Sequence, residues 1–239
     1  MKLYHFELGL DYDFFSRVNN ELRYEFQCRV EFICDYITKA LRKKKIETKG
    51  KYNGIYINLL PDSENRVPIV RDCDVVIYLP FNFKKYNEAR RLNDYNYYFE
   101  LIRSGLYIYS NFLNERIDVI IDIVFEFEKI NCKNRWLRKR RKFPSEDISV
   151  ELWSELTTSN YTAEIEIKDK ENVTICNGCF LKTEACHFVY YGLVSDIKIL
   201  NNTLYIVDKW GNKRFSFCIP YLKKGLFFVK KELFDNDTE

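Results

Sequence analysis

The chain has 239 residues, of which 46% are hydrophobic and 31% charged, the balance of a folded globular protein rather than a disordered one. Its net charge of +3 is too small to imply a polyanionic partner from bulk charge alone. No apolar run approaches the roughly 18 residues a membrane span requires, so no membrane partner is expected.

Lys2 to Leu8 alternates, with Tyr4, Phe6 and Leu8 on one side and His5 and Glu7 on the other, which predicts a half-buried strand. Its charged opening lacks the apolar block of a signal peptide, so a cytoplasmic protein is expected, with its eight cysteines reduced. From Phe14 to Leu41 apolar residues recur every three or four positions and predict one helix of about eight turns, closed by Arg42-Lys43-Lys44-Lys45. Gly54 to Leu60 reads as a second strand, and 61–65 as a polar turn. Arg71 to Phe81 reads as a third strand, covered on both faces at the centre of the sheet. A helical region begins near Lys84, interrupted at Ser104-Gly105. The segment from Asn114, a plausible cap, through Ile117 to Ile130 fits helical and strand spacing alike. Helix is favoured there because the pattern continues into Trp136 and Leu137.

Beyond Pro144 a short helix is expected over 146–156, from Ile148, Leu152 and Leu156 in line. From Asn160 the chain becomes rich in β-formers: Tyr161 to Lys168 alternates, Val173 to Thr183 pairs around Asn177-Gly178, and Phe188 to Leu200 is a long strand. Asn201-Asn202 and Trp210-Gly211-Asn212 are turns, and Leu226 to Val229 adds a last strand. The expected fold is therefore α+β. An N-terminal β-α-β-β sheet with a long covering helix and further helices occupies 1–143. A linker with a short helix spans 144–159, an antiparallel β unit 160–234, and a frayed tail 235–239.

Several chemistries are excluded. Only His5 and His187 are present for Ser-His-Asp or Cys-His catalysis, and neither adjoins a nucleophile elbow. No Walker loop or Gly-x-Gly-x-x-Gly fingerprint occurs. Asp72-Cys73-Asp74, followed by Val75-Val76-Ile77, is similar to the Asp-x-Asp-hydrophobic strand of the DNA-polymerase-β-like nucleotidyltransferase superfamily. That resemblance implies two carboxylates holding Mg²⁺ over a nucleotide's phosphates, with Asp118 or Asp122 as a third. The superfamily's Gly-Ser pair is missing from Pro61-Asp62-Ser63. Cys176 and Cys179, followed by Cys186 and His187, have the residue types of a zinc knuckle. The competing reading is a hairpin with small apolar residues beside its turn. Residues 133–142 hold seven basic side chains in ten positions. As a helix, Arg135, Arg138, Lys139 and Lys142 would share a face beside Trp136, with Arg140 and Arg141 adjoining. That face suits nucleic-acid phosphates or an acidic protein surface.

The expectation that follows is a non-catalytic protein that binds a macromolecule through Arg135 to Lys142, with neither Mg²⁺ nor zinc. By analogy it is an immunity protein or phage-type inhibitor neutralising a toxin or a host defence protein. The alternatives are a divergent nucleotidyltransferase using Asp72 and Asp74, or a nucleic-acid-binding protein using the basic run.

Overall fold

The structure, a computed structural model, describes residues 1–61, 66–113 and 116–232. The polar turn over 62–65, the cap at Asn114 and the tail over 235–239 lie outside them. The chain forms two compact units, Met1–Lys133 and Asn134–Glu239, and its helices and sheets bear out the α+β expectation.

In the first unit β1 (His5–Leu10), β2 (Gly54–Leu60) and β4 (Asp74–Pro80) run parallel, and β3 (Ile69–Arg71) pairs antiparallel on the outer side of β4. Phe6, Leu8, Ile55, Ile57, Val75, Ile77 and Leu79 form the buried side. The helices are α1 (Tyr12–Val18), α2 (Asn20–Lys44), α3 (Phe83–Leu92), α4 (Asn96–Leu113) and α5 (Asp118–Lys129). Helix α2 buries Phe26, Val30, Ile33, Ile37 and Leu41; each such side chain stabilises the fold by about 2 kcal/mol through burial. Thr38 of α2 also reaches the free edge of β1. Its Oγ1 accepts from the Phe6 amide at 3.1 Å and donates to the Phe6 carbonyl at 3.2 Å.

Four expectations change here. The long first helix is broken at Asn19, whose extended backbone (φ −158°, ψ 80°) ends α1 and whose side chain caps α2 through the Leu22 amide. The third strand is instead a hairpin, β3 and β4 joined at Asp72-Cys73, and Val76 and Tyr78 are only half-buried, so one face is covered rather than two. Helix α4 runs through Gly105 without interruption, and the glycine serves packing rather than a break, since a Cβ there would strike the Ile57 side chain. Helix α5 forms as favoured but stops at Lys129. Asn131 and Cys132 adopt left-handed backbone (φ 53° and 57°) and turn the chain out of the helix.

The second unit contains two antiparallel meanders. One comprises β5 (Asn134–Phe143), β6 (Ile148–Leu156), β7 (Asn160–Lys168) and β8 (Thr174–Glu184) in sequence order. The other comprises β9 (Asp196–Leu200), β10 (Thr203–Val207), β11 (Lys213–Cys218) and β12 (Lys230–Lys231), with short helices α6 (His187–Tyr190) and α7 (Ile219–Leu222) before β9 and β12. Phe180 of β8 meets Phe215 and Phe217 of β11, with ring centres 5.0 and 6.0 Å apart.

The unit therefore begins at Asn134, and the basic run is the strand β5 rather than a helix end. Residues 146–156 are a 3₁₀ turn (Pro144–Glu146) and the strand β6 rather than a linker helix. Positions 148, 152 and 156 satisfy a period of four and a period of two alike, and Val150 and Ser154 complete the strand's buried side. Asn177-Gly178 is the middle of β8, not a turn. Gly178 is there because the Phe227 ring occupies the place a side chain would take. Phe188 to Leu200 divides into α6 and β9. The Asn201-Asn202 turn forms as expected, with both residues at positive φ (49° and 59°).

Candidate functional site

Asp72 and Asp74 do not lie two apart on a strand. Asp72 occupies the hairpin turn at φ 54°, and Asp74 is the first residue of β4. His5, Gly54, Asp74 and Arg71 align across the four strands. Gly54 makes room for the Asp74 carboxylate, which would collide with any Cβ there. Burial raises the Asp74 pKa, His5 opposes the rise, and Asp72 and Glu7 add to it. Burial, with Glu7 and Asp74 nearby, pushes the neighbouring Tyr56 phenol up to about 12. This cluster sits at the N-terminal ends of the parallel strands, whereas ligands of open α/β sheets bind beyond the C-terminal ends. Asp118 opens α5, is 63% exposed and pairs with Arg116 at 2.6 Å; Asp122 is exposed on the same helix.

Cys176 and Cys179 lie on opposite faces of β8: Cys176 pairs with Ile167 of the buried face, Cys179 with Glu164 of the outer one. Cys186 is buried and caps α6, and His187 is exposed beyond it. Among the described residues no group of three His, Cys, Asp or Glu side chains is arranged to hold a metal ion.

Because the basic run is a strand, its side chains divide between two faces, with a bulge at Arg138. Toward the second meander, Lys139 and Arg141 reach Asp196 at 3.3 and 2.8 Å, and Arg138 donates to the Val194 carbonyl. On the other face Arg135 stacks 4.4 Å over Trp153 and pairs with Glu164 at 2.9 Å. Arg140 meets Glu151 at 2.6 Å; that carboxylate is 2% exposed and also takes Lys168 at 3.1 Å. Burial would raise the Glu151 pKa, but Lys168 and Arg140 hold it below the ordinary range. Trp136 turns toward the buried Tyr161, ring centres 6.4 Å apart. Lys142 is exposed and lines an open cleft of about 280 Å³ with Pro144 and Asp169.

A different surface is built around Asp208, just beyond β10 and 3% exposed. Its Oδ1 accepts from the amides of Trp210 and Asn212, both at 2.9 Å, and its Oδ2 accepts from Asn212 Nδ2 at 3.0 Å and Arg214 Nε at 2.8 Å. Burial would raise its pKa, but these donors, Asn212 foremost, keep it low. The knot fixes residues 208–212, so Lys209 and Trp210 are presented on a rigid loop. Lys209 Nζ lies 4.0 Å from the Tyr191 ring centre and 4.4 Å from that of Trp210. Its stem crosses Gly192, whose left-handed φ of +80° and missing Cβ leave the space. His187 stacks on Tyr191 at 4.7 Å. Phe188 is 83% exposed and Trp210 64%, so Phe188, His187, Tyr191, Lys209 and Trp210 make one ridge of aromatic rings around a cation.

The turn at Trp210-Gly211-Asn212 is legible in the sequence, but the ridge is not. Residues 187–191 and 209–210 are brought together only when the chain between them folds back through β9 and β10. No protein-family model, curated protein or solved structure matches the chain.

Proposed function

We propose that the chain is a non-catalytic cytoplasmic protein whose C-terminal unit binds a partner protein through the ridge formed by Phe188, Tyr191, Lys209 and Trp210. The observation that carries this reading is the Asp208 knot. A buried carboxylate with four donors is an expensive way to hold a surface loop unless the loop's side chains are used. Tyr and Trp are favoured at the centres of interfaces, and rings held rigid before binding lose little entropy when they dock. Lys209, between two rings, calls for a carboxylate on the partner. The ridge would be the centre of an interface of about 1,600 Å². The eight free thiols support a reducing compartment, and no helix among the described residues is long and apolar enough to cross a membrane.

The narrower reading, neutralisation of a toxin or a host defence protein, rests on analogy of chain type, and the identity of the partner decides it. The test is affinity purification from the native host with the natural chain and with Trp210→Ala. A stoichiometric protein partner is expected, held about 30-fold or more weakly by the variant. Recovery of nucleic acid instead, or of a partner indifferent to Trp210→Ala, would overturn the proposal.

A further inference from the structure

Residues 223–231 read Lys-Lys-Gly-Leu-Phe-Phe-Val-Lys-Lys, an apolar run bracketed by two lysine pairs. The backbone is tied at both ends. Gly225 turns at φ +74°, and the Leu226 amide donates to the Tyr221 carbonyl at 3.0 Å. Downstream, Lys230 and Lys231 pair with Ser216 and Phe215 of β11. Between these ties Phe227 points inward, over Gly178 and 5.6 Å from the Phe217 ring. Its neighbours project outward: Leu226 is 45% exposed and Phe228 63%, and Phe228 meets the exposed Tyr221 edge-on at 5.8 Å.

We infer that this segment docks on an anionic membrane surface, with Leu226 and Phe228 entering the headgroup boundary and the lysines meeting lipid phosphates. Three features favour lipid over protein as the occupant. Lysine is depleted at protein interfaces but contributes to binding at the anionic surface of a bilayer. Long lysine stems lie along apolar surface while their ammonium groups reach outward to the headgroups. The inward anchor at Phe227 presents the two outward residues as a short wedge rather than a groove-shaped surface. Lys223 and Lys230 have acidic neighbours, Glu146 at 3.0 Å and Glu232 at 3.3 Å, so the exposed Lys224 and Lys231 carry most of the attraction. A peripheral contact of this kind needs no crossing segment, and it is independent of the aromatic ridge.

The experiment is co-sedimentation of the full chain with vesicles of phosphatidylcholine and phosphatidylglycerol in equal parts, and with vesicles of phosphatidylcholine alone. Binding to the anionic vesicles only is expected. Phe228→Ser should weaken it about tenfold, and Lys224→Glu with Lys231→Glu about fivefold per lysine removed. The charge-matched control Lys43→Glu with Lys129→Glu should leave it unchanged, and circular dichroism should show each variant folded. No binding, equal binding to both vesicles, binding insensitive to Phe228→Ser, or loss in the Lys43/Lys129 control would each overturn the inference.

Discussion

Replacing Asp208 with Ala tests whether the ridge is held by a buried charge network. The substitution removes the acceptor of the Trp210 and Asn212 amides and of the Asn212 side chain, and it takes from Arg214 the carboxylate that its Nη2 meets at 2.8 Å, with the side chain 16% exposed. Removing one partner of a buried ion pair costs about 3–5 kcal/mol, and the remaining bonds to backbone amides lie within that figure, since such costs do not add. A loss of about 4 kcal/mol is therefore expected, a large share of a typical domain stability of about 5–15 kcal/mol. The three tryptophans, Trp136, Trp153 and Trp210, all belong to the C-terminal unit, so urea denaturation followed by tryptophan fluorescence reads that unit alone. Asp208→Ala combined with Arg214→Met should recover part of the loss, because the largely buried guanidinium is then removed together with the carboxylate that faced it. A loss below about 1 kcal/mol, or a double variant no more stable than the single one, would refute the reasoning.

Four further outcomes are expected. The hydroxyls of Tyr86, Tyr97 and Tyr98 are buried without a hydrogen-bond partner among the described residues; Tyr97→Phe should leave the stability of the N-terminal unit unchanged or raise it by up to about 1 kcal/mol, read in urea by the circular dichroism of the helices α1 to α5 that this unit holds, and a fall of that size would contradict the packing. Glu151, Asp196 and Asp208 titrate below their ordinary values, burial being outweighed by their cationic and amide donors. Their contribution is complete above the ordinary carboxylate range near pH 4 and is lost as pH falls through the depressed folded values, so acid titration should unfold the fluorescent unit there. Asp74 shifts the other way, so folding makes its ionised form less favourable than it is in the unfolded chain; Asp74→Asn should be neutral or stabilising by thermal melting, and a marked drop would restore a role for its charge. Metal analysis of the purified chain should find less than half an equivalent of zinc, since Cys176 and Cys179 face apart.

The parts of the fold legible in the sequence are those in which one period dominates. Gly54 to Leu60 and Tyr161 to Lys168 alternate cleanly, and both became strands. The second half of the Phe14–Leu41 stripe became the buried side of α2. The errors have specific causes. Asn19 breaks a helix without the Pro or Gly that announces a break. Ile148, Leu152 and Leu156 fit two periods at once. The basic run has little strand propensity, and its ladder with the β-rich β6 overrides that preference. The same ladder divided its charges between two faces, so a surface imagined as continuous became a set of ion pairs. Asp72 and Asp74 looked like a strand pair because the turn between β3 and β4 contains neither Gly nor Pro.

Thr38 has a consequence for how the N-terminal sheet can be approached. One hydroxyl takes up both hydrogen-bonding groups of Phe6 at the margin of β1, where an unprotected strand would invite another chain to pair. At the opposite margin β3 offers only three residues, too few to template a neighbour. Both margins are thus blunted against strand addition, which disfavours growth of this sheet by extended chain from a second copy or an unfolded protein. A partner of the N-terminal unit is therefore expected to read side chains, and because Thr38 and Phe6 are both buried, Thr38→Val would leave the Phe6 amide and carbonyl without their partner at a cost in stability rather than open the border.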